Sequence, residues 1–352
     1  MIDKTHYVPI LKAKEGEFQA LAECSPLAKG DFTPLLEFVL PEANGRKRPE
    51  TVDEHVKTTI ERASATWGVA DPCFLDFQMV EAKGGPAIIP AAFAEIEKTG
   101  IRAIPVVGLS GGKAFIDEIG SGIAKLSLPV CLRVGRDDIG APNFNSALAH
   151  ALSLLNRKPG ETHLLIDFKV ITKEALADTL GLIQATLGKL PSRDEWLSVI
   201  FAGTSFPQNM SSFPRDSITV VDRVEWALWN RLRNEKTARI PTFSDFGIAH
   251  PTLAVINKKY MNPSASIRYT TSNGWLLVKG RSAIKSGYPQ FHSLAKLLVK
   301  RPEYCGPDFC WGDQFIDDCA KGKVSSGSLT TWRKVGTSHH IALVIDQLAN
   351  LS

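Results

Sequence analysis

The feature that most constrains this chain is a rhythm of short apolar runs separated by stretches of helical spacing, repeated eight times within the first 250 residues. The runs begin at Tyr7-Val8-Pro9-Ile10-Leu11-Lys12, Phe32 to Phe38, Cys73 to Phe77, Arg102 to Gly108, Pro129 to Val134, His163 to Phe168, Leu197 to Gly203 and Ile240 to Asp245. Between them lie helical patterns such as Thr51 to Thr66, where Val56, Ile60 and Ala63 share one face. Units of roughly 30 residues are what a strand, a crossover helix and a parallel strand require. Near-continuous apolar runs suit a parallel sheet covered on its outer face. Eight such units over about 250 residues predict a closed (β/α)8 TIM-like barrel. The rival, an open doubly wound sheet, lacks its Gly-x-Gly-x-x-Gly turn after the first strand.

After Pro251 the rhythm stops. Ser266 to Thr270 and Gly274 to Gly280 read as a hairpin turned at Ser272-Asn273-Gly274. Pro289 to Lys300 and Phe309 to Ala320 read as helices, and Ser338 to Leu348 as the delayed last helix of the barrel. The predicted organisation is therefore a barrel core over 1–250, an inserted crown over 251–335 between strand eight and the last helix, and that helix over 336–352. A polar loop is expected over Asn44 to Pro49.

Composition excludes little. Of 352 residues, 44% are hydrophobic and 22% charged, as in ordinary globular chains, and a net charge of +4 implies neither nucleic acid nor membrane. The start Met1-Ile2-Asp3-Lys4-Thr5-His6 has no apolar signal core and no run is long enough to span a bilayer, so a cytoplasmic protein without a membrane partner is expected. Of the six cysteines, Cys305, Cys310 and Cys319 lie closest together, but they lack the paired knuckles of structural zinc and read as free thiols.

The candidate chemistry lies at strand ends. Lys12, Glu37, Asp76, Arg133, Asp167 and Asp245 each close a run, and in a barrel they would converge on one rim, since neighbouring strands lie ~4.8 Å apart. Crowded carboxylates need a cation, supplied by Lys12 and Arg133 or by Mg2+ or Mn2+. Such a rim is either a catalytic site or a salt-bridged plug. The two strand ends Ser205-Phe206-Pro207 and Ser244-Asp245-Phe246-Gly247 anchor this reading, and Gly203-Thr204-Ser205 could cradle a phosphate or merely reverse the chain. His339-His340 and Trp332-Arg333 offer an acid/base and a clamp for phosphate or carboxylate, or else a capped helix start with Thr337 or Ser338 as the cap. Trp311, with Tyr304 and Phe309, could stack a base or sugar, or form a small core beneath a loop. The hairpin bearing Arg268, Trp275 and Lys279 is basic and aromatic, and could touch a nucleic-acid backbone or merely carry charges that keep an exposed hairpin in solution. Neither a Gly-x-Ser-x-Gly elbow, a Walker loop nor a His-Glu-x-x-His zinc motif is present.

Taken together, Tyr7 to Lys12, Pro34-Leu35-Leu36-Glu37, Ser205-Phe206-Pro207, Glu225-Trp226…Trp229, Asp245-Phe246-Gly247 with His250-Pro251, Cys310-Trp311-Gly312-Asp313 and Trp332-Arg333…Gly336-Thr337…His339-His340 resemble the beta protein family of phages and bacteria. The resemblance covers nearly the whole chain. It implies a phage-related or host-defence setting and transfers no catalytic residues.

Two functions follow as expectations. The first is an enzyme, a metal-assisted hydrolase, acting on a phosphorylated or nucleotide-like small molecule. In it Glu37, Asp76, Asp167 and Asp245 hold a cation or exchange protons, Lys12, Arg133 and Arg333 neutralise phosphate, Ser205 and Trp311 line the substrate, and His340 moves a proton. The second is a non-catalytic module recognising a protein partner, such as one from a defence operon, or a nucleic acid.

Overall fold

A computed structural model describes all residues except 1, 25–27, 41–49, 110, 236, 238, 253–261 and 352. The expected polar loop Asn44 to Pro49 lies outside the described residues.

Eight parallel strands close into a ring: β1 (Tyr7–Lys12), β2 (Leu35–Glu37), β3 (Pro72–Asp76), β4 (Arg102–Gly108), β5 (Val130–Gly135), β6 (Thr162–Val170), β7 (Ser198–Thr204) and β9 (Thr242–Asp245), which returns to pair with β1. The (β/α)8 barrel expected from the rhythm is the fold. Crossover helices include α1 (Glu15–Ala22), α2 (Val52–Trp67), α4 (Ile88–Thr99), α5 (Lys113–Leu126), α7 (Phe144–Leu154), α8 (Leu176–Lys189) and α9 (Val224–Asn234). The short helices α3 (Gln78–Gly84) and α6 (Arg136–Gly140) follow β3 and β5 and were not anticipated.

Two apolar layers hold the ring. Val8, Ile10, Leu35, Phe74, Cys131, Leu165 and Ile200 are among the residues that fill the lumen. Tyr7, Leu11, Leu36, Leu75, Leu132, Leu164 and Phe243 point outward and join the inner faces of the helices. Alternation along each strand assigns the next lumen position. Lys12 follows Ile10, Glu37 follows Leu35, Asp76 follows Phe74, Arg133 follows Cys131 and Asp167 follows Leu165, so all five close the C-terminal end of the lumen. Register places Lys12 opposite Glu37 and Glu37 opposite Asp76.

Beyond the ring, β10 (Ser264–Thr270) and β11 (Gly274–Ser282) form the expected hairpin, and β8 (Ser217–Asp222), from between β7 and α9, adds a third strand to it. α10 (Gln290–Leu298), α11 (Trp311–Lys321) and the front of α12 (Leu329–Ala349) pack against this sheet around Tyr269, Leu276, Phe291, Ile316 and Trp332. The last helix thus begins nine residues ahead of the expected Ser338, and its cap is Ser328, which accepts the Thr331 N–H; Thr337 and Ser338 are interior helix residues. Among the described residues no helix is long and apolar enough to cross a membrane.

Candidate active site at the barrel mouth

The floor of the mouth is an ion cluster centred on Arg133. Its guanidinium donates to Glu37 at 2.8 Å, to Asp76 at 2.6 Å and to Asp167 at 2.7 and 3.0 Å. Lys12 Nζ pairs with the other Glu37 oxygen and donates to the Pro251 carbonyl at 2.8 Å. The remaining oxygens are taken locally: Asp76 accepts the Gln78 N–H and Asp167 the Lys169 N–H. Burial alone would push Glu37 up, but Arg133 and then Lys12 outweigh it and hold the carboxyl below its usual range. For Asp76 burial wins over Arg133, helped by the charge of Glu37, and the carboxyl sits above its usual range. Burial opposes the Arg133 charge, yet Asp167, Glu37 and Asp76 together keep it firmly protonated.

This donor set does not fit Mg2+ or Mn2+. Each carboxylate oxygen of Glu37, Asp76 and Asp167 already accepts from a protein N–H, and the Arg133 guanidinium stands where a bridging cation would be needed. The expected metal-holding role of these carboxylates is therefore withdrawn.

Asp245 departs from the group. It lies two residues after the outward-facing Phe243, so parity turns it away from the lumen and into the layer beneath α9 and α12. There it accepts Tyr7 Oη at 2.5 Å, the Gly247 N–H at 2.9 Å and His340 Nε2 at 3.0 Å. His340 completes its bonding with the Thr270 hydroxyl at 2.8 Å. Burial raises the Asp245 carboxyl, but His340, Arg223 and Tyr7 more than compensate and hold it low; burial also depresses His340, against the opposing pull of Asp245. Asp245 and His340 are wholly buried and do not line the open mouth.

Ser205 belongs to the same outer layer. Its N–H and hydroxyl both reach Glu225, and its oxygen accepts the Val224 N–H at the start of α9. The Phe206 N–H is bound to Thr204 Oγ1, so the turn after β7 spends these donors internally and does not form the expected phosphate cradle. Trp311 lies in the crown, stacked on Phe315 at 5.6 Å under Lys334, as part of the small core there. On the hairpin, Trp275 is fully buried and Lys279 is bound to the Met210 and Phe213 carbonyls, so neither is free to touch a nucleic-acid backbone.

Above the floor opens a cleft of about 630 Å³ bounded by the ends of β1 and β2, the first turns of α1 and α12, and β10. Lys12 forms its base. On one wall Arg268 and Arg333 stand side by side, both donating to the Ile248 carbonyl, at 2.8 and 3.1 Å. Glu17 stands 3.6 Å from Arg333 Nε, and Glu15 and Glu50 also line the cleft. Burial and the neighbouring Arg333 charge pull Arg268 down to about 9. Two guanidinium groups held this close on a cleft wall are the arrangement that welcomes an oxyanion. Gly16 makes room for the Arg333 side chain: a Cβ there would meet Arg333 Cγ at 2.6 Å. Of the anticipated site residues, Lys12 and Arg333 line the cleft, and Glu37, Asp76, Arg133 and Asp167 support it from below. Arg268 as a cleft residue, with Glu17, Tyr7 and Arg223, went unrecognised, because their partners lie far away in sequence. The β-branched run Ser217 to Asp222 was the available signal for β8, whose end positions Arg223.

Ring closure, lumen packing and a charged C-terminal mouth define the class as a (β/α)8 barrel with its cleft where such barrels carry their sites. Solved structures of similar fold include a type I 3-dehydroquinate dehydratase from Clostridium difficile, at 13% identity and TM-score 0.39 over 70% of this chain and 86% of that one. Triosephosphate isomerase from Bartonella henselae matches at 9% identity and TM-score 0.34, over 68% and 91%. The chain belongs to the beta protein family, whose family model matches residues 7–346. No curated protein sequence matches it.

Proposed function

We propose that this protein is an enzyme of the barrel-mouth type that takes a phosphorylated or nucleotide-like small molecule into the cleft above Lys12. The observation that carries the reading is the pairing of Arg268 with Arg333 on the wall of the cleft, whose lining also carries Glu15, Glu17 and Glu50. A phosphate there would complete the bonding of two crowded guanidinium groups and relieve their mutual repulsion. Lys12 is the candidate catalytic residue. Glu37 and Pro251 engage two of its three N–H donors and fix the ammonium at the cleft base, leaving the third for a developing negative charge on the substrate. Arg133 and its carboxylates act as positioning residues for Lys12 through Glu37. Hydrolysis without a carboxylate-bound metal is the form of the proposal that fits this floor; the phage-related or host-defence setting rests on the family resemblance alone.

A second reading has its own support. The floor charges satisfy one another so fully that the mouth could bind an anion without transforming it. Both readings share the first test, thermal unfolding with pyrophosphate or ADP. Stabilisation that weakens with added salt and is lost in the Arg268→Met/Arg333→Met double variant supports the cleft, and an unchanged melting curve with either anion refutes it. Phosphate release from a nucleotide panel, abolished by Lys12→Met, then separates enzyme from binder.

A further inference from the structure

Away from the mouth, the crown brings together three side chains of metal-binding chemistry. Cys310 is the N-cap of α11, Asp313 sits three residues on in its first turn, and His339 comes from the middle of α12. Their Sγ, carboxylate and imidazole ligand atoms all lie within 4.8 Å of one another. The two helices touch closely enough for this because Gly312 has no side chain: a Cβ there would stand 2.5 Å from the Val335 carbonyl oxygen.

We infer that Cys310, Asp313 and His339 form a site for a single zinc-like divalent ion. Thiolate, imidazole and carboxylate are the three donor types zinc prefers, and three protein ligands leave a fourth position for water. One thiolate and one carboxylate would neutralise a divalent charge.

The surroundings have the form of a supporting shell. His339 Nε2 donates to the Thr270 carbonyl at 2.8 Å, which directs Nδ1 toward the other two residues, 2.7 Å from Asp313 Oδ2. Cys310 Sγ meets the same oxygen at 3.0 Å. The other Asp313 oxygen is held by Tyr269 Oη at 2.8 Å, and the Tyr269 ring stacks on His339 with centroids 3.8 Å apart. Ligands whose second atoms are fixed in this way are oriented before a metal arrives. Asp313 and His339 are fully buried while Cys310 is half-buried, so the ion reaches the site past the thiol. Cysteine spacing alone gives no hint of this, because only one of the ligands is a cysteine.

The test uses the full chain, Co2+ as the spectroscopic probe and Zn2+ as competitor. One Co2+ per chain with a thiolate-to-cobalt charge-transfer band, displaced by Zn2+, is the expected result. Cys310→Ser, which keeps a hydrogen-bonding group at the N-cap, should remove that band, and Tyr269→Phe should weaken affinity about 10- to 100-fold through the supporting shell. Absence of the band in the wild type, or metal binding unaltered by Cys310→Ser, would overturn the site. Because Cys310→Ser leaves the Asp313–His339 contact in place, its melting curve without metal should stay close to wild type, which separates metal loss from unfolding.

Discussion

Replacing Arg133 with Met tests the ion cluster most severely. The substitution keeps much of the aliphatic volume but removes the only cation shared by Glu37, Asp76 and Asp167 among the described residues. Lys12 still neutralises Glu37, so Asp76 and Asp167 are left as buried charges. Asp76 must then take up a proton in the folded state. Doing so at pH 7, about three units above an ordinary carboxylate value, costs about 4 kcal/mol for one group. Asp76 is already raised in the wild type, so part of its share is present before the change. Breaking a buried pair from one side typically costs about 3–5 kcal/mol, and the two routes agree on a loss of about 4 kcal/mol or more at neutral pH. That is a large part of the total stability of an ordinary domain. The sign with pH follows from linkage. Glu37 is held low in the folded protein, so its contribution is present above the unfolded value of 4.5 and fades as pH falls through the folded one. The protonation cost also shrinks as pH approaches the ordinary carboxylate value, so the gap between wild type and variant should narrow on acidification, to about a quarter of its neutral value near pH 4.5. Urea unfolding followed by tryptophan fluorescence at both pH values measures this. A variant as stable as wild type at neutral pH, or a gap that widens in acid, would refute the reasoning.

Two further outcomes follow from the buried layer behind β9. Burial, opposed by Arg223 and reinforced by Asp245, lifts Glu225 to about 7 from 4.5, so the folded state binds its proton more tightly and stability should fall as pH rises across that interval. Glu225→Gln should flatten this slope, worth about 3 kcal/mol in full, when unfolding is measured across that pH range. Asp245→Asn removes one of the two carboxylates beside the wholly buried Arg223, the one at 3.7 Å, and disturbs the bonds to Tyr7 and His340, so chemical denaturation should show a loss of about 3–5 kcal/mol. The same variant should leave pyrophosphate stabilisation per bound anion unchanged, because Asp245 does not reach the cleft.

Much of this protein was legible in its residues. Eight apolar runs at crossover spacing permit few arrangements other than a ring, and the ionisable residues at or near the ends of β1, β2, β3, β5 and β6 are those that close the lumen. Asp245 shows where that reasoning stops. A run such as Ile240 to Phe243 is apolar on both faces, so the pattern does not reveal which parity looks inward, and a one-residue difference moves a carboxylate from the lumen to the helix layer. Position along the chain likewise said nothing of pairing: β8 joins β11 across more than fifty residues, Arg268 meets Arg333 on the carbonyl of Ile248, and Cys310 finds His339 on a neighbouring helix. Short-range periodicity writes the secondary structure and the barrel, because burial of apolar faces is a local demand on the chain. Charge partners are chosen only when distant segments are brought within a few ångströms of each other, and that choice belongs to the folded molecule alone.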